Sequence, residues 1–138
     1  MFNTTSKFIV LASAFRSNLS TSMNLTRHVD VRFSLDAQGF QHKDVLGYFK
    51  EEDAATGNEE LSFAIACKSA GQIKDMARLF CDCYQQDCIA VWNRDSNTLW
   101  LADKTGTVFM DCGKMRMSVT KPDVQAWTYC GGFYWYAV

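Results

Sequence analysis

Two short stretches of the sequence carry side chains suited to binding or catalysis. The polar segment SAFRSN, residues 13–18, lies where an apolar run, residues 8–15, comes to its end. The end of a buried strand, where backbone groups are free, is a common place for a ligand. Glu59 and Glu60 stand directly before a second apolar run, residues 61–67. Residue type alone leaves these carboxylates open between a solvated rim charge and an electrostatic role in a site.

The standard motifs of nucleotide and metal chemistry are missing from the sequence. There is no P-loop, no G-x-G-x-x-G segment and no glycine-rich loop of the methyltransferase kind after the first apolar run. Two histidines leave little for a metal centre. Cys81 and Cys83 point about 200° apart on a helix. We therefore expect buried free thiols, no metal, no cofactor and a reducing, cytoplasmic setting.

Composition restricts the class of protein further. The 138 residues suit one domain, spanning 1–138, and 48% apolar residues provide a packed core. A formal net charge of −1 gives no basic excess for a nucleic-acid partner. No apolar run reaches the roughly 20 residues that cross a bilayer, so we expect no membrane partner.

Hydrophobic patterning predicts an α+β domain of ferredoxin-like type. Residues 23–36 are predicted helical, although their apolar residues also alternate as in a strand. Leu25, Val29 and Phe33 would form the buried face of that helix. The predicted order is strand 7–15, helix 23–36, strands 43–50 and 61–67, helix 69–86 and strand 88–92. This βαββαβ order predicts one antiparallel sheet with two helices on one face, plus a C-terminal β-hairpin extension.

The C-terminal third is predicted to form hairpin strands and is crowded with aromatic side chains. These are Trp127, Tyr129, Phe133, Tyr134, Trp135 and Tyr136. A lone sheet would expose half of them. Either a subunit interface covers them or they build a second core layer within the monomer, and the sequence leaves both alternatives open.

Three motifs resemble the phage-encoded S-adenosylmethionine (SAM) lyases, formerly called SAM hydrolases. The first runs from Ser13 through Leu19 (SAFRSNL) and continues as N-x-x-R-H at residues 24–28. The second combines Ala77-Arg78-Leu79 with Gln86-Asp87-Cys88, and the third is Glu59-Glu60 ahead of Cys67-Lys68. The resemblance covers about the first two-thirds of the chain, and the C-terminal third matches poorly.

The resemblance implies a set of site residues. Glu60 takes the place of the family's catalytic glutamate. An ungapped alignment puts Phe49 at the position of a functional tyrosine, with Tyr48 next to it, so either residue is a candidate. The substrate-binding candidates are Ser13, Ala14, Phe15, Arg16, Ser17, Asn18, Arg27 and His28.

The resemblance also implies a reaction and an assembly. The carboxylate of SAM attacks its own γ-carbon, which gives homoserine lactone and 5′-methylthioadenosine without a general base. The implied assembly is a homotrimer with sites between subunits, in the cytoplasm of an infected bacterium, where loss of host SAM would counter restriction. The alternatives are a true hydrolase that gives homoserine, and a non-catalytic, PII-like trimer that binds SAM or an adenine nucleotide.

Overall fold

Strands dominate the fold. A computed structural model describes Met1 and residues 3–138, and within them eight strands and two α-helices follow one another. They are β1 Phe8–Ala12, α1 Thr21–Ala37, β2 His42–Phe49, β3 Asn58–Cys67, α2 Ala70–Ala77, β4 Ile89–Asn93, β5 Thr98–Ala102, β6 Val108–Ser118, β7 Ala126–Cys130 and β8 Phe133–Ala137. Helix α2 continues directly into a π-helical segment, Arg78–Cys83.

The strands form a closed antiparallel barrel in the order β1-β3-β2-β7-β8-β6-β5-β4, with β4 paired to β1. The ferredoxin-like prediction with a hairpin extension is therefore wrong. Strands β5 to β8 do not form a separate appendage, because β7 pairs with β2, placing Thr128 opposite Gly47, and so closes the sheet. Closure gives every strand two neighbours and removes the free edges that an open sheet would leave.

Helix α1 forms as predicted, but it buries a different face. Ser20 caps it, because its Oγ accepts from the Met23 backbone N–H at 3.2 Å. The predicted apolar face is 40–69% exposed at Leu25, Val29 and Phe33. The buried residues are instead Asn24, His28, Val31 and Leu35. The helix turns two polar side chains inward, where each finds a hydrogen-bond partner.

Two cores lie on opposite faces of the central strands. Because successive strand residues face opposite sides, Val10 packs beneath the helices while its neighbour Ile9 packs within the barrel. The helix-side core also contains Phe63, whereas Ala64 belongs to the barrel interior. Burial of Ile9 on one face of β1 and of Val10 on the other agrees with its continuous apolar sequence.

Most of the C-terminal aromatic surface is covered within the monomer. Trp127 is only 4% exposed and stacks on Tyr48, with ring centroids 4.9 Å apart. Trp135 fills the barrel interior against Trp92, with centroids 5.8 Å apart, and donates its indole N–H to the Cys130 carbonyl at 3.1 Å. Trp135 belongs to the barrel core, whereas Trp127 and Tyr48 cover each other on the opposite face of the sheet, so neither tryptophan by itself requires a subunit interface.

Candidate functional site

The segment that leaves β1 is tied to β3 by Ser13. The Ser13 hydroxyl donates to the Leu61 carbonyl at 2.8 Å and accepts from the Phe15 backbone N–H at 3.0 Å. A side chain that bonds the backbone two residues onward fixes a turn locally. Ser13 therefore holds the start of the loop at residues 13–18 against β3, next to Glu60.

Two amide side chains hold the next part of this loop. Asn24 of α1 accepts from the Arg16 backbone N–H at 2.9 Å and returns a bond to the Arg16 carbonyl at 3.0 Å. From the other side, Gln86 donates to the Phe15 carbonyl at 2.9 Å. Residues 15 and 16 are thus fixed between α1 and the segment after α2. Asn24 and Gln86 were missed as positioning residues, although both lie inside the quoted motifs.

Arg27 uses its guanidinium for contacts within the protein. It donates to the Ala14 carbonyl at 2.8 Å, to the Gln85 side-chain oxygen at 3.1 Å and to the Tyr84 carbonyl. Its charged carbon also lies 5.1 Å from the centre of the Tyr84 ring. Arg27 therefore joins the loop to the end of the π-helical segment. Its guanidinium stabilises the loop beside the site through these contacts.

His28 is a packing residue in this fold. It is 1% exposed and stacks on Phe63 with ring centroids 4.0 Å apart. Its Nε2 lies 3.1 Å from Asp44, which also accepts from Arg32 at 2.6 Å. Burial lowers the pKa of His28, and the hydrogen bond to Asp44 opposes that shift. A largely desolvated imidazole is held in its neutral form, and it lies on the buried face of α1 rather than at a surface open to substrate.

The remaining loop candidates divide by exposure. Ala14 is fully buried in the helix-side core, so only its backbone is available for contacts. Ser17 and Asn18 are exposed. Arg16 is half-buried and donates to Asn18 at 3.3 Å and to the Gln85 carbonyl. The structure therefore brings residues 13–18 together as one braced loop whose tip faces solvent.

Glu60 lies on β3 directly opposite Gly47 of β2. Burial raises the pKa of the Glu60 carboxyl, and the neighbouring Ser13 side chain opposes that rise. Gly47 presents no side chain, and a methyl group there would approach the Ser62 hydroxyl to 2.8 Å. The carboxylate is therefore half-buried next to the loop at residues 13–18, in a place where a cation would be attracted.

Strand alternation separates the two candidates for the tyrosine position. Phe49 has the same parity on β2 as Gly47 and so shares the face of Glu60. Tyr48 pairs with Glu59 and Trp127 on the opposite face. Phe49 is 49% exposed. The face that carries Glu60 therefore has a phenyl ring at this position and no tyrosine hydroxyl from β2.

A cavity of about 810 Å³ lies on the other face of the β2–β3 pair. Tyr48, Glu59 and Trp127 line it, together with residues 50–52, 55–57 and 121–125 from two facing loops. The Lys50 backbone N–H donates to the Gln125 carbonyl at 2.8 Å and connects those loops. Glu60 is not part of this cavity.

Comparison with known proteins places the chain in a family. A model of the S-Adenosylmethionine lyase family matches residues 10–138. The chain belongs to the S-adenosylmethionine lyase family. It is also 33% identical over 104 residues to the S-Adenosylmethionine lyase of Enterobacteria phage T3, covering 72% of this chain and 68% of that protein. The family match runs through β8, beyond the first two-thirds of the chain that carries the three motifs.

The described part of this family member contains no ready metal site. Within Met1 and residues 3–138, no group of three or more His, Cys, Asp or Glu side chains is placed to hold an ion. All six cysteines are free thiols. Burial raises the pKa of Cys67 to about 12 and that of Cys81 to about 11. These thiols are therefore weak nucleophiles and weak metal ligands at neutral pH.

Helix length is the remaining global observation. Among the helices of Met1 and residues 3–138, none combines the length and the apolar character needed to span a membrane.

Proposed function

We propose that this chain cleaves S-adenosylmethionine to 5′-methylthioadenosine and L-homoserine lactone. The observation that carries the proposal is the family match over residues 10–138, which includes Glu60 and the loop at residues 13–18. The geometry of Glu60 supports it, since a half-buried carboxylate lies beside a loop braced from three sides.

The proposed reaction needs few groups from the protein. An oxygen of the substrate carboxylate bonds to the γ-carbon, the γ-carbon–sulfur bond breaks, and its electron pair stays on sulfur. Sulfonium and carboxylate charges disappear together, so a water-poor site favours the transition state over the charged substrate. A folded methionine tail places the two reacting atoms close together. No proton is transferred, which agrees with the buried, packed position of His28.

Glu60 acts by charge in this proposal. Its carboxylate attracts the sulfonium or the ammonium of the substrate and sets the conformation of the tail. Burial alone raises the pKa of this carboxyl. A cation held against the carboxylate favours the ionised form again, so substrate binding and ionisation of Glu60 support each other.

The product analysis that tests this proposal uses purified protein and SAM in oxygen-18 water. Methylthioadenosine and unlabelled lactone, identified by mass at early times, are the expected products. Label on the γ-hydroxyl of homoserine would instead establish direct hydrolysis. Intact SAM after prolonged incubation with folded protein would exclude both reactions and favour a non-catalytic binder. The closed barrel removes the ferredoxin-like likeness on which the PII-like alternative rested.

We further propose that the enzyme is a homotrimer with its sites between subunits, and that it depletes SAM in the cytoplasm of an infected bacterium and so counters restriction. The outer face of α1 supports association, because Leu25, Val29 and Phe33 present an apolar stripe to solvent. The relative from a bacteriophage supports the setting.

A further inference from the structure

Gly47 interrupts a row of side chains that crosses four neighbouring strands. From β3 to β8, the paired residues of this row are Glu60, Gly47, Thr128 and Trp135. Residues that pair directly in an antiparallel sheet turn their side chains to the same face. Because Gly47 contributes no side chain, it leaves a gap between Glu60 and Thr128. The Cβ atoms on either side of this gap are two strand spacings, about 9–10 Å, apart.

The row lies where the barrel interior opens to solvent. Along β2, Val45 belongs to the barrel core and is 5% exposed, whereas Phe49, on the same face, is 49% exposed. Along β3, Ala64 is fully buried in that core, whereas Glu60 is half-buried. Gly47 is half-buried too. A ligand can therefore approach the gap and the Glu60 carboxylate together from the open end of the barrel.

Neither the backbone nor the packing requires glycine at position 47. The φ angle of Gly47 lies outside the left-handed region that favours glycine. Within the part of the chain that the structure describes, an added methyl group would make one contact below 3.0 Å, to the Ser62 hydroxyl at 2.8 Å. That hydroxyl can turn away about a single bond. Glycine inside a strand often marks a place where a ligand approaches the backbone closely.

We propose that Gly47 is a specificity-determining residue, over which the sulfonium centre of SAM and its methyl group lie, against the Glu60 carboxylate. The inference rests on the proposed function and deepens it. A sulfonium carries three carbon substituents around its charge, so it needs more room beside a carboxylate than the compact ammonium of the tail. The gap at Gly47 provides that room, and Glu60 attracts the charge. The group that Glu60 attracts is thus the sulfonium.

Two analogues of SAM that are not cleaved test this placement. Sinefungin has an amine-bearing carbon in place of the methylated sulfonium, and S-adenosylhomocysteine lacks both the methyl group and the charge. Both keep the adenosine and the amino acid tail, so they differ at the centre that the proposal places over Gly47. Titration calorimetry on the full chain measures their affinities without turnover.

Gly47→Ala fills the gap with one methyl group. It should bind sinefungin about tenfold more weakly than the wild type, a typical cost of one overpacked methyl group, and should weaken S-adenosylhomocysteine less than about threefold. Gly47→Ala combined with Ser62→Ala removes the close contact with the hydroxyl and should show the same loss relative to Ser62→Ala alone. Gly71→Ala is the matched control, since its methyl group would lie on an exposed helical position, 3.7 Å from the nearest atom, and should change neither affinity.

Four outcomes would overturn the proposal. Equal weakening of both analogues would mean that a part they share lies over Gly47. Recovery of sinefungin binding in the double variant would mean that Gly47 only accommodates Ser62. An unchanged affinity in Gly47→Ala, or no binding of sinefungin to the wild type, would mean that the sulfonium is bound elsewhere.

The wild type decides the question should the alanine variants fail to fold by circular dichroism. In its saturated complex with sinefungin, a nuclear Overhauser effect is expected between the Gly47 α-protons and the proton on the amine-bearing carbon. Its absence would overturn the placement. A protein that binds sinefungin in this way and leaves SAM intact would refute the proposed cleavage and not the site, so the two failures are distinguishable.

Discussion

At the residue scale, the position of Glu60 favours binding of a cation but destabilises the unliganded protein. Its carboxylate is half-buried beside Ser13, without an ion pair among the residues that the structure describes. Such a group is ready for a cationic ligand because no cation of the protein neutralises it. Keeping this charge partly out of water destabilises the unliganded protein.

Glu60→Gln should reduce SAM cleavage strongly. The amide keeps the shape and removes the charge, so we expect a loss on the order of 2–4 kcal/mol in the barrier, comparable to removing one preorganised electrostatic group. Steady-state rates at saturating SAM measure it. Glu59→Gln is the matched control, since Glu59 faces the opposite side of β3 and should cost much less. A fully active Glu60→Gln enzyme would show that the site lies elsewhere.

The same substitution should stabilise the unliganded protein at neutral pH. Burial raises the pKa of Glu60 above its ordinary value of 4.5 in the folded state. The folded chain therefore holds this proton more tightly than the unfolded chain, and the resulting stability is present below 4.5 and lost as pH rises through the raised pKa. In thermal melting across pH 4 to 8, the melting temperature of Glu60→Gln relative to the wild type should rise as pH increases. A constant difference would contradict this.

His28 should produce the opposite trend below neutrality. Burial lowers the pKa of His28 from its ordinary value of 6.5. The unfolded chain then takes up this proton first, so stability should decline as pH falls below about 6.5 and level off below the folded pKa. His28→Gln should flatten that part of the melting curve, at a cost to packing on Phe63. Equal slopes in the two proteins would mean that folding does not change the pKa of His28.

At the element scale, the loop after β1 is held by contacts from α1 and from the end of the π-helical segment. Arg27 makes both connections through its guanidinium. Arg27→Gln should therefore reduce the free energy of unfolding by about 1–3 kcal/mol, since it leaves partly buried carbonyls without donors, and should also lower SAM cleavage. Urea unfolding and turnover measure the two effects.

Arg32→Gln provides the contrast for that measurement. Arg32 forms an exposed ion pair with the Asp44 carboxylate, at 2.6 Å, and an exposed ion pair contributes about 0–1 kcal/mol. Equal losses from both substitutions would show that Arg27 is an ordinary surface charge and that the loop is fixed by other contacts.

Local sequence signals predicted where the helices begin better than which face of a helix is buried. Ser20 and Ser69 cap α1 and α2 as the polar residues before each helix indicate. The predicted buried face of α1 was wrong. The apolar spacing of Leu25, Val29 and Phe33 gives no information on the contacts that a polar residue of the helix makes in the fold. His28 is buried since Phe63 and Asp44, distant in sequence, offer it a stacking surface and a hydrogen bond.

At the scale of the whole molecule, barrel closure could not be read from the sequence. It depends on one long-range pairing, β7 against β2, between residues about eighty positions apart. Turn residues predict which strands adjacent in sequence form a hairpin. They give no information on which distant strands pair to close the barrel. The resemblance names both Ser13 and Glu60 as candidate site residues, and the structure places them next to each other. The cavity at Trp127 was not predicted, because its walls come from two separate loops.

The oligomeric state is the prediction that belongs to this scale. An apolar stripe of Leu25, Val29 and Phe33 on a helix facing solvent is typical of a surface that another subunit covers. We expect a trimer by light scattering at micromolar concentration. Val29→Asp combined with Phe33→Asp should give monomers that keep their fold, as both side chains are already exposed in the isolated chain. Circular dichroism checks the fold. If sites form between subunits, these monomers lose SAM cleavage and wild-type activity per chain falls on dilution. A monomeric wild type with full activity would refute both the trimer and the shared sites.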